Sequence, residues 1–219
     1  MTSGAPARRR PTEPPGTGTL RDEQRRRTRR RLADAALELF GEIGYAAATA
    51  DGIARRAEAG RATFYLHFAS KVEVVLELME RVDAEVAATW AALDGLEEPT
   101  LADVRAWVEE TVTFWSRNRV IIEASEQALD IERRVADYWW GGVQRAVDAM
   151  PRHLSRFDGA ELERERIRLI SLMSGLERLC YFWVICDAPL DREVVLDAQS
   201  DLWHALLTRS SIGAVRSPR

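Results

Sequence analysis

Apolar residues recur along this chain at helical intervals, and no stretch alternates as a half-buried strand does. Leu32, Ala35, Ala36, Leu39 and Phe40 stand at i, i+3, i+4, i+7 and i+8, which predicts a first helix from Asp22 with one core face, ended by Gly41 and Gly44. Ile53, Ala54 and Ala57 give a short second helix a small apolar face, and Thr49 is placed to cap it. After a turn at residues 58–60, Gly60 caps a third helix over 61–68. On that helix Phe64 and Phe68 point inward and leave Arg61, Ala62, Thr63, Tyr65 and His67 mainly outside.

Ser70 then caps a long helix on which Val72, Val75, Leu76, Met79, Val82, Val86 and Trp90 track one side, up to a break at Glu97, Glu98 and Pro99. Further helices are expected over 100–118, over a shorter apolar segment at 120–129, and from about residue 131 through Tyr138, Trp139, Trp140 and Met150. Gly141 and Gly142 are positioned to bend the last of these and Pro151 to end it. Two more helices, over 161–185 and 191–207, complete an all-α chain with no internal repeat.

The short second and third helices, joined by a tight turn with an outward row of donors on the second, make a helix-turn-helix. A helical hairpin that binds no DNA is the plainer alternative. The same stretch carries T-F-Y-x-x-F-x-S-K, as Thr63, Phe64, Tyr65, Phe68, Ser70 and Lys71, after an I-A-x-x-A helix. It resembles the DNA-binding signature of the TetR family of bacterial transcriptional regulators, over residues 24–75. Two departures stand out. Glu58 occupies a turn position where such proteins usually carry Gly, so the backbone there must accept a positive φ or turn differently. The cap position, often Ser or Thr in the family, is Gly60.

The resemblance implies an N-terminal three-helix DNA-binding head over residues 21–70 and a C-terminal bundle for ligand binding and dimerisation over 71–212, between tails at 1–20 and 213–219. It also implies roles at DNA. Arg61 is the candidate for a bidentate contact to guanine, with Ala62 beside it. Thr63 suits a thymine methyl or a phosphate, and Thr49, Tyr65, His67 and Lys71 are candidate phosphate contacts. For His67 the competing reading is a partly buried polar filler.

Charge sharpens this division. Residues 1–70 hold 13 Arg against 8 acidic side chains, a surplus of five, whereas residues 71–219 hold 18 basic against 27 acidic, a deficit of nine. A basic end on an acidic body suits a polyanion-binding module. The run R-R-R-T-R-R-R at 25–31 is placed near a DNA backbone or is a solvated face. Residues 1–20 are too poor in apolar side chains to fold, and Arg8, Arg9 and Arg10 there are either a flexible DNA-binding arm or a solubilising tail.

No stretch approaches the ~20 apolar residues that cross a bilayer, and the start lacks the apolar core of a secretory signal, so a cytoplasmic location is expected. Cys180 and Cys186 read as small buried apolar residues. His67, His153 and His204 have no partners at metal spacing, and no G-x-S-x-G elbow or phosphate loop is present. Neither an enzyme, a metal nor a cofactor is indicated.

All seven Trp lie between Trp90 and Trp203. Rings at helical spacing are either ordinary core or the walls of a pocket for a flat or lipid-like molecule. The family resemblance implies a small-molecule pocket inside the bundle, for which Trp107, Trp115, Trp139, Met173, Leu176 and Trp183 are candidates and Glu126 a polar anchor. It further implies that the last two long helices form a four-helix interface with their copies, so that two recognition helices read half-sites about one helical turn of DNA apart. The implied protein is a repressor. It holds a palindromic double-stranded DNA operator as a homodimer and is released when a small hydrophobic or aromatic effector displaces the end of the connector helix. The competing reading is a helical adaptor that binds a protein partner through its bundle and whose head is degenerate, as Glu58 would favour.

Overall fold

The boundaries of the helices follow from where the backbone finds partners at each end. In a computed structural model, which describes residues 20–209, the chain is α-helical without strands. Its elements are α1 (Leu20–Ala47), α2 (Ala50–Arg56), α3 (Arg61–His67), α4 (Lys71–Asp94), α5 (Leu101–Arg117), α6 (Arg119–Leu129), α7 (Arg133–Asp148), α8 (Pro151–Leu154), α9 (Gly159–Cys180) and α10 (Arg192–Leu207). Thr49 caps α2 by accepting the Gly52 N–H at 3.0 Å. Thr100 and Asp103 form a reciprocal capping box on α5, and Asp191 caps α10. Ser70 holds the cap position of α4 without a side-chain bond; Glu73 instead reaches back to the Ala69 N–H at 2.9 Å.

Several boundaries differ from expectation. Gly41 does not end α1, because it lies on a helical face against Val120 of α6; the break falls at Gly44, whose φ of 76° leaves the helical region before a last turn at Tyr45. Gly141 and Gly142 remain inside α7, Met150 lies beyond it, and Pro151 opens α8 at a position where its missing N–H costs nothing. The final turn after α9, Tyr181–Ile185, widens into a π-helix. Cys180 is buried but Cys186 is exposed. The expectations for Arg8, Arg9, Arg10 and both tails fall outside the described residues.

Two apolar cores organise the helices. The first joins α1, α2, α3 and the start of α4 around Leu32, Phe40, Tyr45, Phe64 and Phe68. The second joins α5, α9, α10 and the end of α4, with Trp90, Trp107 and Trp203 packed at ring separations of 5.1–5.5 Å. α4 runs through both, which makes it the connector that its long apolar stripe implied. Buried aromatic groups of this size each contribute on the order of 2–3 kcal/mol.

At the turn between α2 and α3, Glu58 takes the positive φ, 49°, that a Gly would adopt freely. A side chain there costs about 1 kcal/mol. Glu58→Gly is therefore expected to raise the urea midpoint by an amount equivalent to about 1 kcal/mol; a lowered midpoint would show that the turn is unstrained.

Candidate nucleic-acid interface and interior cavity

α3 is seated by Phe64 and Phe68, both buried, with their rings 5.8 Å apart. Seating these rings turns Arg61, Ala62, Tyr65 and Leu66 to solvent and leaves Thr63 half-buried. The Arg61 guanidinium lies 3.1 Å from Asp51 Oδ2 on α2 and 5.6 Å from the Tyr65 ring centre. Both partners of this ion pair are exposed, so it is weak and gives way readily to a stronger acceptor. Thr49 accepts one hydrogen bond in capping α2, which leaves its hydroxyl proton free to donate. Leu66, 69% exposed, was not anticipated. It follows Ala62 by four residues, so helical spacing alone would have placed it on the outward face.

His67 and Lys71 do not fit their expected roles at phosphate. His67 is buried, with only 9% of its surface accessible, and burial together with Arg25 and Arg29 holds its pKa below the usual value. Its ring faces inward, and its carbonyl accepts from Arg29. The Lys71 ammonium donates to the carbonyls of Tyr45, Ala46 and Ala48 at 2.8, 3.2 and 3.1 Å and lies 4.2 Å from the Tyr45 ring centre. All three of its protons are thereby committed to the end of α1. The arginine run on α1 also divides: Arg29 is bound to Glu77 and stacked on Phe68, while Arg25, Arg26, Arg27, Arg30 and Arg31 face solvent.

In the body, α4, α5, α6, α7 and α9 enclose a cavity of about 150 Å³ with largely apolar walls. Of the residues named for a pocket, Trp115, Glu126, Trp139, Met173 and Leu176 line this cavity. Trp107 and Trp183 do not. Trp107 belongs to the tryptophan cluster, and its indole N–H donates to the Thr89 carbonyl at 2.9 Å; Trp183 lies in the π turn after α9. Glu177 also lines the cavity, and burial first, then the neighbouring Glu126, pushes its pKa up to about 7. A glutamate beside Arg178 on a long helix reads in sequence as solvated, which concealed it.

α6 has two functional faces. Ile121, Ile122 and Ser125 line the cavity, while Gln127 Oε1 accepts the Tyr45 N–H at 2.8 Å and Val120 meets Gly41. Tyr45 also donates through its hydroxyl to Glu132 at 3.2 Å. α9 and α10 expose Ile167, Val194 and Leu202. No helix among the described residues is long and apolar enough to cross a membrane, and no cluster of three or more potential metal ligands occurs among them.

Comparison with known proteins places these features in context. Residues 32–78 match the family described as "Bacterial regulatory proteins, tetR family". The chain is 31% identical over 219 aligned residues to the HTH-type transcriptional activator FasR of Mycolicibacterium smegmatis, covering 93% of this chain and 97% of that protein. Among solved structures it resembles the fatty acid degradation regulator FadR from Bacillus halodurans, with a TM-score of 0.59 and 18% identity over 87% of this chain and 97% of that one. It also resembles the SmeT–triclosan complex from Stenotrophomonas maltophilia, with a TM-score of 0.56 and 23% identity over 88% of this chain and 99% of that one. These structural likenesses bear on the fold.

Two outcomes follow from the side-chain environments. Lys71→Met leaves three helix-end carbonyls without their donor and is expected to lower unfolding stability in urea by about 1–3 kcal/mol; an unchanged midpoint would remove its role as a cap. Glu177 has a folded pKa above its unfolded value, so between those values the folded chain binds the extra proton and stability falls as pH rises. Urea unfolding from pH 5 to pH 8 is expected to show this decline in the wild type and a flatter profile in Glu177→Gln, whereas parallel profiles would contradict it.

Proposed function

The chain belongs to the TetR family of transcriptional regulators, and from that premise we propose that it is a homodimeric repressor, released from a palindromic double-stranded DNA operator by a small hydrophobic or aromatic effector. The observation that carries this reading is α3, where Arg61, Ala62, Tyr65 and Leu66 stand outward over buried Phe64 and Phe68. Arg61 exchanges Asp51 for the O6 and N7 acceptors of a guanine, Leu66 and Thr63 meet thymine methyls, and Tyr65, Thr49 and the solvent-facing arginines of α1 meet phosphates. The head spans residues 21–70, and residues 71–212 form the ligand-binding and dimerisation body. The protein acts in the cytoplasm.

A single two-turn recognition helix makes too few base contacts for tight specific binding, so a second copy is required. The apolar residues exposed on α9 and α10 support a pairing of those helices about a two-fold axis. Effector binding in the cavity displaces α4 and α6, which both line it, and so alters the separation of the two heads. SmeT, solved with triclosan, is described as the repressor of a multidrug efflux pump, which supports this reading, whereas FasR is described as an activator. Occupancy of an operator represses where it overlaps the promoter; the cavity controls occupancy in either case.

The adaptor reading leaned on Glu58, and that support is lost. Glu58 accepts the left-handed conformation, and α3 keeps its place.

Fluorescence anisotropy with DNA from upstream of the gene tests the proposal. The wild type is expected to bind this DNA in preference to random duplex, and Arg61→Ala to cost about 1–3 kcal/mol on the operator while affecting random DNA less. Equal losses on both would remove Arg61 as a base reader, and uniformly weak, salt-erased binding would favour the adaptor.

A further inference from the structure

The hydroxyl and carboxyl groups on the wall of the cavity find partners within the protein, with one exception. Thr89, Thr111 and Ser125 donate to the carbonyls of Glu85, Trp107 and Ile122 at 3.0, 3.0 and 2.8 Å. Asp83 accepts from the Tyr138 hydroxyl and lies 3.3 Å from Arg145. Glu126 is paired with Arg178 at 3.2 Å. On this wall Glu177 alone has a carboxyl oxygen, Oε2, that is closed off from solvent and has no hydrogen-bond partner. A buried carboxyl without a partner is costly, and it is more so ionised than neutral.

We infer that the cavity takes a small lipophilic cation, an aromatic body with one short ammonium arm, for which the Glu177 carboxylate is the counter-ion. The inference rests on the reading of this cavity as the effector site and names the chemistry that the site selects. An ammonium group supplies the missing partner through a charge-assisted hydrogen bond. Trp90, Trp115 and Trp139 line the same cavity, and an indole ring attracts a cation held over its face. A neutral hydroxyl gains only an ordinary hydrogen bond, and an anion meets both Glu177 and Glu126.

The surrounding charges do not offset Glu177. Asp83 on α4 is balanced by Arg145 on α7, and Glu126 on α6 by Arg178 on α9. Tyr138, Cys180 and Tyr181 have their pKa values raised by burial and stay neutral near pH 7. With Glu177 held near 7 in the empty cavity, an ammonium entering under acidic conditions displaces the carboxyl proton to solvent. The volume of about 150 Å³ matches a cavity known to hold one benzene ring.

The test uses three probes of one shape and different charge: phenethylammonium, 2-phenylethanol and phenylacetate. Binding is read from the tryptophan fluorescence of the intact protein. Phenethylammonium is expected to bind about tenfold or more tightly than the alcohol at pH 8, with phenylacetate weakest. Its affinity is expected to fall about tenfold between pH 8 and pH 6, as Glu177 takes up a proton. Glu177→Gln should abolish both the preference and the pH dependence while binding the alcohol as before. An alcohol that binds as tightly as the amine, a preference that survives Glu177→Gln, or no binding of any probe would overturn the inference. Operator anisotropy separates this from the proposed function. A Glu177-dependent cation that leaves DNA affinity unchanged sinks the effector reading and keeps the site, whereas release by the neutral probe alone does the reverse.

Discussion

A helix that ends inside a protein must find partners for its last peptide groups, and the end of α1 finds them on other elements. Gly44 breaks the helix; beyond it Lys71 of α4 takes the carbonyls of Tyr45, Ala46 and Ala48, and Gln127 of α6 takes the Tyr45 N–H. The buried Tyr45 ring lies beneath the Lys71 ammonium and reaches Glu132 with its hydroxyl. This joint fixes the head, and with it α3, to the two helices that also enclose the cavity. Burial lowers the pKa of Lys71, and the charge of the nearby Glu132 opposes that shift.

The consequence is a short physical path from the interior to the reading surface. α4 and α6 each present one side to the cavity and another to α1. Close-packed helices do not deform smoothly, so a ligand that needs more room favours a second arrangement of the joint. In the proposed function, the influence of such a ligand on DNA binding is limited by its differential affinity for the two arrangements, ordinarily about 1–3 kcal/mol. The shielded Oε2 of Glu177 leaves the empty cavity with an unmet electrostatic demand, and meeting that demand is one way to generate such a difference.

Much of this was legible in the order of residues because it is local. Phe64 and Phe68 one turn apart set the inward face of α3, and Thr49 sits where a cap must. What failed depended on partners distant in sequence. Lys71 reads as an exposed cation, but its acceptors come from 23–26 positions upstream. His67 shares its helix with the outward row yet falls on the side covered by Arg29. Trp107 and Trp115 lie on one helix at similar burial, and only the packing of Trp90 and Trp203 decides that the first is core and the second cavity wall. No periodicity in α9 separates Glu177 from a solvated glutamate.

The joint between α1 and α6 can be tested without knowing the effector. Spin labels at Glu38→Cys on the exposed side of α1, in a Cys186→Ser background, report the separation of the two heads in the proposed homodimer by pulsed electron spin resonance. On operator DNA the separation should be narrowly distributed, with the two recognition helices about one helical turn of DNA apart, 34–36 Å or a multiple. In the free protein Gln127→Ala should broaden the distribution while circular dichroism shows the helices intact. A distribution left unchanged by Gln127→Ala would contradict the claim that this joint places the head.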